Sequence, residues 1–463
     1  MSNMAKPWIK PSITSLRSGL LNKFGNVRQN LWQDAIDGVP IAQLIQQHGS
    51  PLFCISERRL RDNARRIKRA FATRYPRVQF GWSYKTNYLG AVCNVLHQEG
   101  SWAEVVSKFE YEKARALGVP GHAILFNGPH KPRDILEKAI AEGARIHVDH
   151  LDELYLLEEL AQAAGRKVGI AIRLNFDTGF TEPWSRFGFN LESGQAMDAA
   201  WRIAASPHLQ LVGLHSHIGT FILEPRAYTA EVKLLCGFMN QVEEKTHCHI
   251  EYLDVGGGFA SMNALQGVYL PPEQVVPTIE QYADAICTTL LEATHERASR
   301  SGERPLLVLE PGRAVVDDTE VLIASVVANK RLPDGRRGMI LDAGVNLLFT
   351  GFWYNHSVTP TRPLTGKTED TLLYGPLCMN IDVVRSSIML PPLNLGDTLV
   401  IGPAGAYNNT QWLQFIEYRP NVVMIHEDGS VNVVRVAENL ASMTAQERLP
   451  EHLREPFGKK GGD

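Results

Sequence analysis

From about residue 50 the chain alternates short β-branched runs with helix-periodic stretches, and no other feature narrows its fold as far. Strand-like runs fall at 79–85, 102–107, 123–128, 145–150, 169–175, 211–217, 251–257 and 306–312. A helix is expected after Ser56, an N-cap residue, because Leu60, Ala64, Ile67 and Phe71 share one face. Further helical patterns cover 152–164, 228–242 and 273–298. Eight strands alternating with helices predict an α/β fold, a (β/α)8 TIM barrel of ~250 residues. Beyond residue 318 the texture changes. Runs at 320–327, 339–341, 371–374, 398–401, 422–426 and 431–434 are separated by Gly, Pro and Asp turns, which predicts a mainly β C-terminal domain. The expected organisation is an N-terminal extension (1–37), a barrel (38–318), a β domain completing the active site (319–444) and a tail (445–463).

Composition excludes several classes. Lys+Arg total 47 and Asp+Glu 50, a net charge of −3, which argues against a nucleic-acid partner. No apolar run reaches the ~18–20 residues of a membrane helix. The six cysteines are scattered without a C-x-x-C pair, so neither a zinc site nor a disulfide framework is expected, and a cytoplasmic location is. Residues 1–33 are basic, with Leu16, Leu20, Phe24, Val27 and Leu31 at near-helical spacing. They read as a helix docked on the main body, with an organelle transit peptide as the alternative.

Barrel enzymes place their chemistry at the C-terminal ends of the strands, and the unusual polar residues fall there. Lys85 ends strand one, Asn175 and Asp177 follow strand five, and His215 and His217 end strand six. Gly256-Gly257-Gly258 ends strand seven and Glu310-Pro311-Gly312-Arg313 ends strand eight. Glycine backbone after strands seven and eight suits a phosphate. A lysine in a barrel mouth is expected to have its pKa lowered by burial, which frees the amine as a nucleophile. Lysine, phosphate cradle and carboxylate together suggest a pyridoxal 5'-phosphate Schiff base, with Glu310 facing the pyridine nitrogen. His215 and His217 are expected to point to opposite faces of their strand, one into the barrel and one to the helix layer. No third ligand of suitable type and spacing accompanies them, so no metal is expected.

These motifs resemble those of a known family. Tyr84-Lys85-Thr86-Asn87, His215-Ser216-His217-Ile218-Gly219-Thr220, Asp254-Val255-Gly256-Gly257-Gly258 and Glu310-Pro311-Gly312-Arg313 are similar to barrel motifs of the pyridoxal-phosphate decarboxylases that include diaminopimelate, ornithine and arginine decarboxylases. Gly375-Pro376-Leu377-Cys378 and Gly405-Ala406-Tyr407 resemble the family's later motifs. The resemblance implies an alanine-racemase-like fold and α-decarboxylation of an amino acid. It makes Lys85 the Schiff-base lysine and His217 the histidine stacked on the cofactor ring. Thr220, Gly257, Gly258, Gly312, Arg313 and Tyr407 lie where the family holds the phosphate. Glu310 matches the acid paired with the pyridine nitrogen. Cys378 matches the thiol that protonates Cα, reaching the site from the other subunit of a homodimer.

Departures concern the far end of the substrate, where Arg313, Thr350, Tyr354 and Met379 are the expected contacts. Diaminopimelate decarboxylases usually carry Glu after the motif cysteine, and ornithine decarboxylases Asp; this chain has Met379. Methionine cannot neutralise an ammonium. Thr350 stands where diaminopimelate members usually place an Arg that clamps the distal carboxylate, while Tyr354 is retained. Trp184, Trp353, His356 and Trp412 add aromatic candidates. The expected substrate is therefore a small amino-acid-like molecule with a distal end unlike free diaminopimelate, either conjugated, as in siderophore or other secondary metabolism, or carried on a protein. The alternatives are a diaminopimelate decarboxylase making L-lysine and a non-catalytic, decarboxylase-like regulator.

Overall fold

The computed structural model describes residues 32–268 and 270–454, so the expectations for residues 1–31 and the end of the tail lie outside the described residues. Eight parallel strands close into a barrel: Val78–Ser83, Trp102–Val105, Ile124–Phe126, Arg145–Val148, Val168–Asn175, Leu209–Ser216, Tyr252–Asp254 and Leu306–Leu309. They are numbered one to eight below. Pairing of strand eight with strand one, Val308 opposite Gln79, completes the ring. The runs read as strands in the sequence are these eight.

The outer helices form for the reasons their sequences suggest. Ser56 Oγ accepts the Arg59 amide and starts helix Glu57–Ala72, which buries Leu60, Ile67 and Phe71. Helix Leu151–Ala163 buries Leu154, Leu157 and Leu160. The stretch read as one long helix over 273–298 is broken into Pro272–Val275, Ile279–Ala293 and His295–Ser301. Thr278 restarts the chain there with a capping box.

The second sheet is built on the long strand Glu320–Arg331, which pairs with Arg337–Leu341, Thr398–Gly402 and Leu52–Ser56. Leu52–Ser56 is also flanked by Val422–Ile425, and all five of its residues are buried. This strand precedes the first barrel helix in sequence yet belongs to the second sheet, whereas the sequence had suggested a barrel running from residue 38. Ser357–Pro360 and Val383–Leu390 are further strands that the sequence pattern did not mark.

The second domain grips the barrel where it matters. Asn87 donates to Glu320 Oε2 (3.2 Å) and to the Gly405 carbonyl (3.1 Å). The Tyr407 amide donates to Thr86 O (2.8 Å), and Thr410 Oγ1 to Lys85 O (2.8 Å). The backbone carrying Lys85 is thus held between the two domains.

Candidate active site

Strand one runs into a tight turn, Tyr84–Thr86, that presents Lys85 at the barrel mouth. Its Nζ lies 2.5 Å from Glu104 Oε2, an oxygen that also accepts from Ser83 Oγ at 2.5 Å. Glu104 is wholly buried on strand two. Burial alone would depress the Lys85 amine, but Glu104 and Glu310 outweigh it and hold the amine above its ordinary value. The expectation of an amine lowered by burial is therefore corrected: two carboxylates face it.

His215 and His217 both face the cavity, which corrects the expectation that they part. Side chains two residues apart share a face of a strand. The residue that turns away is Ser216, whose hydroxyl donates to Glu231 on helix Arg226–Thr246. Burial, reinforced by Arg173 and Lys85, pushes His217 down to about 3. His215 is likewise held neutral by burial and then by Arg173. His217 Nδ1 accepts the Gly257 amide (3.0 Å), and its ring lies 5.3 Å from that of Trp184.

Glu310 follows strand eight, 4% exposed, and accepts from Asn127 Nδ2 at 2.5 Å. His215 Nε2 lies 3.7 Å from it. Donor atoms of His147, His215, Asp254 and Glu310 all lie within 4.8 Å of one another. The sequence offered no third ligand to join His215 and His217; the fold gathers three others around His215 and leaves His217 outside. Burial, with Glu310 beside it, raises the Asp254 carboxyl well above its ordinary value.

Closely packed glycine backbone and Arg313 stand at one end of the cavity. A Cβ on Gly257 would overlap the Glu310 carbonyl, and one on Gly258, at φ +90°, would overlap that of Gly219. Arg313 lies over the rings of Tyr354 and Tyr407 at 4.7 and 5.0 Å. Its Nη1 stands 4.0 Å from Asp317, yet Nε and Nη1 are buried without a hydrogen-bond partner. Buried guanidinium N–H groups want an acceptor, and a phosphate supplies several. Thr220, Gly258, Gly312 and Tyr407 line the same cavity. Phe221 and Tyr407 both adopt positive φ there, 54° and 68°, a strained geometry for non-glycine residues.

The cavity encloses about 600 Å³, room for a cofactor and a small substrate. Its outer wall is apolar, with Trp184, Phe187, Phe221, Leu265, Trp353 and Tyr354. Thr350 borders it but is 1% exposed and tied inward: its hydroxyl donates to Asn408 Oδ1 (2.9 Å) and lies 3.0 Å from His356 Nε2. Burial pushes His356 down to about 4, so it adds no positive charge. Cys378 is exposed and Met379 half-buried; neither borders the cavity of its own chain. Trp412 packs against Phe53, Arg419 and Arg435 instead. Asn175 pins its loop through the Phe187 and Gly188 carbonyls. Glu104, Asn127 and Arg173 line the cavity and escaped the sequence reading. The signal was there for Glu104, an acid inside the apolar run Trp102–Val105.

A barrel mouth with an amine, a deeply buried acid and a guanidinium with two buried nitrogens lacking partners, roofed by a β domain, has the groups a pyridoxal-phosphate enzyme of the alanine-racemase-like fold requires. Residues 58–317 match the family described as "Pyridoxal-dependent decarboxylase, pyridoxal binding domain". The chain belongs to this family, and pyridoxal 5'-phosphate is its cofactor. Its activity is that of an amino-acid carboxy-lyase. The chain is similar to diaminopimelate decarboxylase of Methanothermobacter thermautotrophicus, 32% identical over 427 residues, covering 90% of this chain and 96% of that one. The Bacillus subtilis enzyme of the same name is 27% identical, over 86% and 91% of the two chains. A crystal structure of diaminopimelate decarboxylase from M. jannaschii with L-lysine superposes with a TM-score of 0.82 at 27% identity, covering 90% and 96%.

Proposed function

We propose that the chain removes the α-carboxylate of an amino acid, or amino-acid conjugate, whose distal end is unlike that of free diaminopimelate. The observation that carries this is Thr350, whose hydroxyl is tied to Asn408 and His356 where the family's diaminopimelate members place a carboxylate-clamping Arg. The cations lining the cavity are assigned elsewhere, Lys85 to Glu104, Arg173 beside Asp149 and Phe187, and Arg313 at the phosphate end, while His356 is neutral and the outer wall is apolar. An uncharged or conjugated distal group suits such a wall better than a free ammonium-carboxylate.

Lys85 would hold the cofactor through its amine and, beside Glu104, is placed to carry protons. Glu310 would pair with the pyridine nitrogen, and His217 would pack on the ring. Thr220, Gly258, Gly312, Arg313 and Tyr407 would hold the phosphate end, and Gly257, whose amide is taken up by His217 Nδ1, would let the backbone approach it without a side chain. Bound pyridoxal phosphate supplies the electron sink into which the electrons of the breaking Cα–carboxylate bond pass. Trp184, Phe221 and Trp353 exclude water while carbon dioxide leaves. The proton that replaces it at Cα comes from Cys378 of the partner subunit. Support for that assignment is the exposure of Cys378 and its position outside its own chain's cavity, which fit a homodimer with shared sites. The thiols themselves are free, which fits a cytoplasmic location. Among the described residues no helix is long and apolar enough to cross a membrane.

A second reading, diaminopimelate decarboxylase itself, is favoured by the names of relatives aligned over nearly the whole chain. Carbon dioxide release from meso-diaminopimelate, compared with α-amino acids bearing uncharged or acylated distal ends, separates the two.

A further inference from the structure

Asn127 follows strand three at the cavity floor, 3% exposed. Its Nδ2 donates to Glu104 Oε1 at 2.9 Å and to Glu310 Oε1 at 2.5 Å, while its Oδ1 has no partner. Glu104 in turn holds Lys85 at 2.5 Å. A continuous path, Lys85–Glu104–Asn127–Glu310, therefore crosses the floor of the site from the ends of four barrel strands.

Two acceptor-only carboxylates in a dry interior repel unless a donor stands between them. The amide of Asn127 has two N–H groups and gives one to each. The other groups facing this pair do not do the same. Lys85 on the turn after strand one touches Glu104 alone. Arg173 on strand five lies 3.9 Å from Asp149 and stacks on Phe187; its charge acts on Glu310 and Glu104 through space, without a hydrogen bond to either. His147 on strand four and His215 on strand six are neutral through burial. Asp254 on strand seven is held towards its protonated form by burial and Glu310. Burial also lifts Glu110, on the helix after strand two, to about 7. Tyr407 reaches Lys85 from the second domain.

We propose that Asn127 is a positioning residue: by bridging Glu104 and Glu310 it holds the two carboxylates together and links the charge at Lys85 to the acid assigned to the pyridine nitrogen. This rests on the roles of Lys85 and Glu310 given above. It predicts opposite responses to two substitutions. Asn127→Asp removes both donors and adds an anion, which favours the protonated chromophore. Asn127→Leu leaves the carboxylates unbridged, so one takes up a proton and the local negative charge falls.

The experiment is a pH titration of the holoenzyme's ~420 nm band in wild type and both variants, with cofactor content and melting temperature measured alongside. The midpoint should move up by about one pH unit or more in Asn127→Asp and down by about as much in Asn127→Leu. Should Asn127→Leu not fold, the shorter Asn127→Val carries the same downward expectation. Midpoints that stay at the wild-type value, or move in the same direction, would overturn the coupling and leave Asn127 a packing residue. A wild-type holoenzyme with no such band would overturn the role of Lys85 and the coupling with it.

Discussion

Glu231 offers a sharp test of how the site is supported. It lies wholly buried behind strand six and accepts a hydrogen bond from Ser216, the residue between the two site histidines. Burial pushes its carboxyl up to about 8, from an ordinary 4.5 that applies in the unfolded chain. Between those two values the folded chain holds a proton that the unfolded chain has lost. The stabilisation is complete below pH 4.5, declines as pH rises, and is gone once pH passes about 8. The slope is ~1.4 kcal/mol per pH unit, and across the interval it amounts to roughly 5 kcal/mol. Glu231→Gln keeps an acceptor for Ser216 but cannot titrate. Glu320, lifted to about 8 by burial, contributes a second proton and remains in the variant. Urea denaturation of the cofactor-free chain, followed by tryptophan fluorescence from about pH 5.5 to 7.5, measures the slope for both proteins. The slope of stability against pH should differ between the two proteins by the equivalent of one proton, wild type being the more negative by ~1.4 kcal/mol per pH unit; the buried neutral histidines pull the other way and act equally on both. Equal slopes in the two proteins would refute the claim that Glu231 is buried as the neutral acid.

Other expectations follow from the same geometry. Lys85→Ala should abolish the ~420 nm band while circular dichroism stays native, because the amine sits on a turn held by backbone bonds to Tyr407 and Thr410. Gly257→Ala should strip the cofactor and lower the melting temperature, since its Cβ would displace the Glu310 carbonyl. Thr350→Val removes one of the two donors to Asn408 Oδ1, the backbone amide remaining, and takes the hydroxyl neighbour from His356; it should cost ~0.5–1.5 kcal/mol in denaturant unfolding. Mixing inactive Lys85→Ala and Cys378→Ala proteins should restore about a quarter of wild-type activity if random reassociation gives dimers with one intact shared site. No recovery on mixing would place both groups in one subunit's site.

The barrel was readable because its strands are buried on both faces and therefore appear as compact β-branched runs between helical repeats. Strand Leu52–Ser56 was not, because it runs directly into helix Glu57–Ala72 and so looks like a first βα unit. Its partners, Glu320–Arg331 and Val422–Ile425, lie more than 250 residues away, and no local pattern records that pairing. Val383–Leu390 was lost because its burial is irregular, with Ser386 and Ser387 exposed in its middle. At the site, residues at strand ends were readable from position alone. The charge on Lys85 was not, since it depends on Glu104, which the pairing of strands one and two brings to 2.5 Å. Asn127 was hidden for the same reason, as an amide in a loop acquires meaning only from the two carboxylates it touches. The histidine pair was misread through the strand period, and the hydrogen bond from Ser216 to Glu231 marks the face that truly turns outward.

The most direct test of the account is a side-by-side assay of carbon dioxide release by the holoenzyme, with meso-diaminopimelate against α-amino acids whose distal ends are uncharged or acylated. With Thr350 tied to Asn408 and His356 and an apolar wall beyond it, the uncharged or acylated substrates should show the higher kcat/KM. Efficient conversion of meso-diaminopimelate to lysine, with little turnover of the others, would contradict it.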